Sequence, residues 1–185
     1  MIKLSIIIPV YNSSKILEKL INEINSNLYE TFKDNYEIIL INDFSNDNSW
    51  ETIKKISEKF NFIKGIDLSY NVGQHGAIFV GLKNSIGDRI IIMDDDLQHP
   101  PQSLMSIYEK LDLFDACYTL YIKRKHVNWK IFVSIVNNFF SSFIFNKPFK
   151  IYTSSMKGIR GKVRDKFLVY NPKIPFIDSL ILKEA

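Results

Sequence analysis

The feature that most constrains the fold of this chain is the regular alternation of short apolar runs with amphipathic helical patterns. The apolar runs, which are rich in β-branched residues, are "LSIIIPV", "YEIILIND", "FIKGIDLS", "RIIIMDDD" and "ACYTLYI". Strands that alternate with helices are typical of βαβ units, in which the strands run parallel. With no repeats and no low-complexity linker, the pattern predicts one α/β domain over all 185 residues, with a mostly parallel sheet flanked by helices.

The helical patterns lie between and after these strands. The first is "SSKILEKLINEINSNL", for which Asn12 to Ser14 offer an N-cap. Another is "PQSLMSIYEKLDLF", where Pro101 and the preceding Pro100 suit the first turn of a helix. Further helices are predicted at 128–145 and around 161–169, while "FKIYTSS" between them has no clear pattern.

The composition excludes several classes of protein. A hydrophobic content of 46% excludes a disordered chain, and the single cysteine, Cys117, excludes an internal disulfide framework. No signal peptide is evident, so we expect a protein of the reducing cytoplasm. The sequence ends on "DSLILKEA" without a terminal motif, which is what a chain shortened at its C-terminus would show.

The charge is distributed unevenly along the chain. Residues 1–120 hold 11 Lys and Arg against 17 Asp and Glu, whereas residues 121–173, called here the basic segment, hold 12 against one acid. Such a split predicts an anionic partner, either a phosphate or an acidic membrane surface, and the alternative is a solvated basic face. Since no nucleic-acid-binding motif is recognisable, we expect no nucleic acid partner.

The most apolar window of the basic segment is "IFVSIVNNFFSSFIF" at 131–145. It is shorter than the roughly 20 residues that a spanning helix needs, and asparagines and serines interrupt it. We therefore interpret it as an amphipathic helix that either packs on the core or lies on a membrane surface or a partner.

Polar side chains follow each of the first four predicted strands. They are Tyr11 and Asn12, then Asn42 and Asp43, then the residues 71–76, and finally those at 94–98. Because the carboxyl ends of parallel strands meet at one edge of a sheet, and ligands of open α/β sheets bind there, this coincidence predicts a ligand site.

The three consecutive aspartates of "RIIIMDDDLQHPPQSL" predict a metal site within it. Like charges this close need a cation to neutralise them. In extended backbone Asp94 and Asp96 share one side while Asp95 points elsewhere. Two carboxylates and the amide oxygen of Gln98 offer the hard oxygen ligands of Mg2+ or Mn2+, which complete their coordination with substrate phosphates and water. The alternative is an N-cap cluster for the helix after Pro100.

At this point the residues resemble a known family. "SIIIPVYN", "EIILINDFSNDNS", "NVGQHGA" and "MDDDLQHPP" are similar to motifs of glycosyltransferase family 2, which has the GT-A fold, and most of all to its polyprenyl-phosphate branch. The resemblance implies an inverting, metal-dependent glycosyltransferase that moves a sugar from a UDP- or GDP-sugar to a polyprenyl phosphate at the inner face of the cell membrane. Residues 1–115 would form the nucleotide-sugar and metal half, and residues 116–185 the acceptor half.

The resemblance also implies roles for individual residues. Those expected to bind the nucleotide are Pro9, Tyr11, Asn12, Asn42, Asp43, Gln74, Asp94 and Asp95. Those expected to hold the metal are Asp94, Asp96 and Gln98, and Asp95 and Asp96 are expected to act in catalysis.

Several positions depart from the family's usual residues. Asn42 stands where the first of two aspartates is common, and Phe44 replaces a usual glycine, so contacts to the base and ribose are expected to differ. Ser155 replaces a proposed catalytic acid. A phosphomonoester, which is already largely dianionic at neutral pH, needs no obligatory base, whereas a sugar hydroxyl benefits from one. The loss therefore favours a polyprenyl-phosphate acceptor, with Asp178 as a candidate base if it folds back to the site.

For the acceptor phosphate the candidate cations are Lys123, Arg124 and Lys157. The alternatives to lipid glycosylation are transfer to a saccharide hydroxyl and a scaffold that binds a nucleotide sugar without turnover. A nucleotidyltransferase would want a glycine-rich phosphate loop where "PVYNSSK" stands, and a receiver domain would want acids after the first strand.

Overall fold

A computed structural model describes residues 2–98, 100–119, 156–170 and 176–185. In these ranges the strands are β1 (Leu4–Val10), β2 (Tyr36–Asn42), β3 (Ile63–Asp67), β4 (Arg89–Ile92), β5 (Ala116–Tyr118) and β6 (Lys157–Arg160). The helices are α1 (Leu17–Phe32), α2 (Ser49–Lys59), α3 (Gly73–Asn84), α4 (Ser103–Lys110), α5 (Gly161–Tyr170) and α6 (Ile177–Glu184).

The six strands form one sheet in the order β3-β2-β1-β4-β6-β5. β1 pairs in parallel with both β2 and β4, and β2 pairs in parallel with β3. β6 runs antiparallel to both of its neighbours. The predicted mostly parallel α/β sheet is confirmed. β1 to β4 all end at one edge, called here the carboxyl edge, and β6 begins there because Lys157 pairs with Ile92.

Two apolar layers cover the sheet because successive side chains of a buried strand point to opposite faces. On one face Ile6 and Ile8 pack with the apolar sides of α1, α2 and α4. On the other face Ile7 and Ile92 pack with α3, α5 and α6. A strand buried on both faces is mostly apolar, which explains the nearly continuous apolar run in β1, where only Ser5 is polar.

Some predicted boundaries change. α1 begins at Leu17 with Ile16 in the N-cap position and no side-chain cap, so the N-cap predicted at Asn12 to Ser14 is wrong. α4 begins only at Ser103, after a turn that contains both prolines. The predicted fifth strand is present at Ala116–Tyr118, and the predicted helix at 161–169 is α5. The predictions for 128–145 and for "FKIYTSS" lie outside the described residues.

None of the helices in the described ranges has the length and apolar character that crossing a membrane requires.

Candidate functional site

A cleft of about 400 Å3 opens at the carboxyl edge. Its wall comes from the segments that follow β1, β2, β3 and β4, as the polar pattern predicts. The wall residues are Pro9, Val10, Tyr11, Asp43, Asn71, Gly73, Gln74, Asp94, Asp95 and Asp96. The predicted nucleotide ligands Pro9, Tyr11, Asp43 and Gln74 thus share one cleft with all three aspartates.

Each of the three aspartates is held by a different donor. Asp94 Oδ1 accepts a hydrogen bond from Gln74 Nε2 at 2.6 Å, and Asp95 Oδ2 accepts one from the Tyr11 N–H at 3.2 Å. Asp96 Oδ1 accepts one from the N–H of Gln98 at 3.0 Å. The prediction that Asp95 points away from Asp94 and Asp96 is wrong, because β4 ends before Asp94 and all three aspartates line the cleft.

The electrostatics of the cleft favour a cation. Burial raises the pKa of Asp95, hydrogen bonds from the Ser13 hydroxyl and the Tyr11 N–H oppose the rise, and the neighbouring charge of Asp94 adds to it. Among the residues that the structure describes, no three His, Cys, Asp or Glu side chains are already arranged to hold a metal ion. Carboxylates that line one cleft still fit Mg2+ or Mn2+, ions that are usually bound through one or two carboxylates plus substrate phosphates.

Asp43 is 4% exposed and is fixed by its surroundings. Its Oδ1 accepts a hydrogen bond from the Val72 N–H at 2.7 Å, and its carbonyl accepts one from Asn71 Nδ2 at 3.0 Å. The preceding Asn42 is 3% exposed and donates from Nδ2 to Asp67 Oδ1 at 2.6 Å. Asn42 therefore lies beneath the cleft wall, and its predicted contact with the nucleotide stays a prediction.

A network that the sequence reasoning missed joins the loops after β1 and β2. The Ser14 N–H donates to Asp47 Oδ2 at 3.1 Å, and the Ser49 N–H and hydroxyl donate to Asp47 Oδ1 at 2.9 and 2.5 Å. Asn12 bridges the same loops, because Asn46 N–H donates to its Oδ1 at 2.8 Å. Asn12 to Ser14 thus tie two loops together instead of capping α1. The short polar residues of "NDNS" at 46–49, which often form such loop hydrogen bonds, were the sequence feature that could have predicted this network.

These hydrogen bonds shift the titration of Asp47. Burial alone would raise the pKa of its carboxyl, but the hydrogen bonds from Ser49 and Ser14 outweigh that effect and lower the pKa to about 2. The ionised form of Asp47 is therefore the one that the two loops stabilise.

Each of the four segments that follow β1 to β4 contains one residue in the left-handed region of the backbone. These are Asn12 (φ 55°), Phe44 (φ 58°), Gly73 (φ 76°) and Leu97 (φ 58°). Glycine and asparagine tolerate this conformation, whereas other residues lose about 1–2 kcal/mol in it. Leu97 packs against the core, but Phe44 is 50% exposed and belongs to neither apolar layer.

Beside the cleft, on the face of α3 and α6, the structure buries a cluster of charged and polar groups. Lys157 Nζ lies 2.5 Å from Asp178 Oδ1, with side chains 4% and 12% exposed. The Tyr118 hydroxyl donates to the same oxygen at 3.2 Å, and burial followed by the charge of Asp178 raises the pKa of Tyr118. Burial lowers the pKa of His75, which lies next to Gln74 in the chain, and the charges of Asp178 and Lys157 act on it in opposite directions.

Asp178 does fold back near the carboxyl edge, as the sequence analysis required of a base, but its carboxylate is paired with Lys157. The same pairing occupies the ammonium of Lys157, a candidate for the acceptor phosphate. Ser155, Lys123 and Arg124 lie outside the described residues. Their predicted roles stay predictions.

The other basic residues of the basic segment that the structure describes are also paired. Arg160 Nε donates to the Leu111 carbonyl at 2.7 Å, Lys162 lies 2.7 Å from Asp115 Oδ2, and Lys166 donates to the Glu184 carbonyl at 2.9 Å. Arg164 donates to the carbonyls of Ser85 and Gly87. In 156–170 each basic side chain thus has a partner within the fold, while those of Lys162 and Lys166 are 58% and 53% exposed.

A mostly parallel sheet that carries an acidic cleft at the carboxyl ends of its first four strands is the arrangement expected of the GT-A class that the sequence resembles. The family described as Glycosyl transferase family 2 matches residues 5–168. The chain therefore belongs to glycosyltransferase family 2, and both the predicted family and the predicted fold are confirmed.

Individual relatives agree with this assignment. The undecaprenyl-phosphate 4-deoxy-4-formamido-L-arabinose transferase of Salmonella choleraesuis is 32% identical over 180 residues, which cover 96% of this chain and 55% of that protein. The predicted likeness to the polyprenyl-phosphate branch of the family is thus confirmed. The chain spans little more than half the length of the curated relatives that it matches.

Solved structures share the fold at lower identity. TarS of S. aureus, residues 1–349 in complex with UDP, superposes with a TM-score of 0.67 at 21% identity, over 99% of this chain and 55% of that one. The mannosyltransferase PcManGT of Pyrobaculum calidifontis in complex with GDP-Man and Mn2+ superposes with a TM-score of 0.65 at 15% identity, over 89% of this chain and 46% of that one.

Proposed function

We propose that this chain carries the catalytic site of an inverting glycosyltransferase that moves a sugar from a UDP- or GDP-sugar to a polyprenyl phosphate. The observation that carries the proposal is the cleft at the carboxyl edge, in which three consecutive carboxylates share one wall with Asp43. The name of the 32% identical relative, an undecaprenyl-phosphate transferase, supports the acceptor class.

In the proposed complex the nucleotide lies along the cleft with its diphosphate at the aspartates. Asp94, Asp96 and Gln98 would hold Mg2+ or Mn2+, and the ion would neutralise charge on the departing diphosphate. Gln74 orients the carboxylate of Asp94 through its hydrogen bond of 2.6 Å. The Tyr11 N–H orients Asp95 in the same way, which leaves that carboxylate beside the sugar.

The proposed reaction is a single displacement at the anomeric carbon. A lipid phosphate oxygen forms the new bond from the face opposite the diphosphate, while the bond to the diphosphate breaks and the nucleoside diphosphate leaves with that electron pair. The second pKa of a phosphomonoester is about 6, so the attacking group is largely deprotonated at neutral pH. No residue has to remove a proton, which agrees with Ser155 in place of an acid and with the pairing of Asp178 to Lys157.

We place the enzyme on the cytoplasmic side of the cell membrane, at its surface, because the acceptor is a lipid. The basic segment, with 12 Lys and Arg against one acid, supports this location. A basic residue near an anionic bilayer contributes about 1 kcal/mol of attraction.

Donor binding is tested by calorimetric titration of UDP and GDP with Mn2+. Asp96→Asn removes a charge from the cleft and is expected to abolish metal-dependent binding. Asp88→Asn is the matched control, because Asp88 is exposed and precedes β4 at the opposite edge of the sheet. Equal affinities of the wild type and Asp96→Asn would refute the metal assignment.

The acceptor is tested by offering labelled nucleotide sugars together with a short-chain polyprenyl phosphate or, separately, with alkyl glycosides. Transfer to the lipid phosphate is expected, and Asp96→Asn is expected to lose it. Transfer to hydroxyl acceptors alone would refute the lipid-phosphate acceptor. Nucleotide-sugar binding without any transfer would instead identify a scaffold.

A further inference from the structure

At the carboxyl edge, Phe44 combines an exposed aromatic side chain with a backbone conformation that is unfavourable for it. It is 50% exposed and adopts a left-handed backbone conformation, φ 58°. Glycine adopts this conformation without strain, and asparagine adopts it more readily than phenylalanine does. The position is therefore costly for an aromatic residue, and half of the side chain stays exposed, outside both apolar layers.

The left-handed conformation is imposed on Phe44 by the hydrogen bonds around it. On one side the Asp43 N–H donates to the Val10 carbonyl at 2.9 Å. On the other side the Asn46 N–H donates to Asn12 Oδ1 at 2.8 Å. The Ser45 hydroxyl, directly after Phe44, also accepts a hydrogen bond from the Asn12 N–H at 3.0 Å, so both neighbours of Phe44 are held and we expect the turn to persist whichever side chain this position carries.

The fold does not account for the aromatic ring. Leu97 is strained in the same way, but it packs against the core formed with α1, α2 and α4. Phe44 is part of neither apolar layer, and no aromatic or cation–π partner is found for it among the described residues. A strained residue that the core does not use is a candidate for contact with a ligand.

Phe44 stands in a row of exposed aromatic residues. Tyr11, Phe44 and Tyr70 follow β1, β2 and β3, which are neighbours in the sheet, and they are 51%, 50% and 67% exposed. Neighbouring strands are about 4.8 Å apart, so the row lies along one stretch of the carboxyl edge. The three aspartates follow β4, on the other side of β1.

We infer that Phe44 is an aromatic contact for the base of the nucleotide that binds in the neighbouring cleft. The inference rests on the proposed function. A diphosphate with its cation would lie at Asp94 to Asp96, so the base would lie toward the other end of the cleft, at Asp43. The Asp43 carboxylate accepts the Val72 N–H through Oδ1 and retains Oδ2 for an N–H of the base. Phe44 is not among the residues that line the cleft, but it directly follows Asp43, so a planar base that extends past Asp43 would reach it.

The test measures nucleotide affinity and thermal stability in the same variants. UDP, GDP and pyrophosphate are each titrated with Mn2+, because pyrophosphate has no base. Phe44→Leu keeps the apolar bulk and the backbone strain but removes the flat ring. Phe44→Gly removes both the ring and the strain. Phe114→Leu is the control, because Phe114 is 55% exposed and precedes β5 at the opposite edge.

Phe44→Leu is expected to bind UDP or GDP about tenfold more weakly, which corresponds to about 1.4 kcal/mol, with pyrophosphate unchanged. Phe44→Gly is expected to lose affinity to at least the same extent while its Tm stays at or above that of the wild type. Phe114→Leu is expected to bind like the wild type.

Unchanged nucleotide affinity in Phe44→Leu would overturn the inference, as would an equal loss for pyrophosphate. A fall in the Tm of Phe44→Gly by more than a few degrees would also overturn it, since the ring would then serve the fold. A wild type that binds neither nucleotide with Mn2+ would overturn the proposed function as well.

Discussion

Replacing Asp178 by asparagine is expected to destabilise the protein strongly, because it removes one charge of a buried ion pair. Lys157 and Asp178 are 4% and 12% exposed, and their charged atoms are 2.5 Å apart. After the substitution the ammonium of Lys157 would stay buried opposite a neutral amide. Breaking a buried pair in this way costs about 3–5 kcal/mol, which for a domain of this size lowers the Tm by about 6–20 °C.

The magnitude should depend on the charge left behind rather than on the number of contacts removed. Lys157→Met combined with Asp178→Asn leaves no unpaired charge, and the new amide still offers an acceptor to the Tyr118 hydroxyl. Replacing a whole buried pair by neutral groups is often close to neutral. The double variant is therefore expected to be more stable than Asp178→Asn alone. Tyr118→Phe, which removes only the hydrogen bond of 3.2 Å, is expected to cost about 1 kcal/mol.

The assay is equilibrium unfolding in urea, followed by turnover measurements on the folded variants. If Asp178 positions α6 against β6, the double variant regains both stability and transfer activity. If Asp178 is the general base, the double variant folds but stays inactive. An unfolding free energy of Asp178→Asn within 1 kcal/mol of the wild type would refute the reasoning, and so would a double variant as unstable as the single one.

The loop network and the buried amide beneath the cleft give two further predictions. Asp47→Asn is expected to cost about 1 kcal/mol at neutral pH. The folded-state pKa of Asp47, about 2, is below its unfolded value. The ionised carboxylate therefore stabilises the fold above about pH 4, and this stabilisation is lost as the pH falls toward 2. Urea unfolding across this range should show a weaker acid dependence for Asp47→Asn than for the wild type. Asn42→Asp is expected to cost about 1–3 kcal/mol at neutral pH, because two carboxylates would replace the hydrogen bond of 2.6 Å to Asp67. One of these carboxyls would titrate above the unfolded value of about 4, so the loss should grow as the pH rises and be small below pH 4, and a loss that is independent of pH would contradict this account.

The sequence predicted those parts of the fold in which burial determines the residue type. β1, β2 and β4 are covered on both faces, so most of their residues are apolar and their sequences leave few alternative interpretations. β6 and α6 were not predicted. β6 has only four residues, "KGIR", and two of them are basic, because Lys157 finds its partner in Asp178 and Arg160 finds one in the Leu111 carbonyl. Such tertiary partners leave no local pattern.

The sequence also predicted where the residues of the candidate site lie, but not how their side chains are oriented. Parallel strands bring their carboxyl ends together, so the positions of Asp43 and of the three aspartates followed from the topology alone. Their individual orientations did not, because these depend on where β4 stops and on the left-handed residue at Leu97. The tie between Asn12 and the loop after β2 was missed because a short polar residue before a helix suggests a cap equally well.

Two departures from the family's usual residues, Asn42 and Phe44, lie in the part of the chain that the structure describes, and the fold explains the first but not the second. Asn42 occupies the place of a common aspartate, and its amide can donate to Asp67 where a second carboxylate would repel it. Its neighbour Asp67 therefore compensates for the change. Phe44, two residues further on, has no such compensation, since its ring is half exposed and its backbone is strained. A substitution that is compensated inside the protein leaves the site as it was. Phe44 has no such partner in the described fold, so it is the position at which the proposed nucleotide recognition is expected to differ.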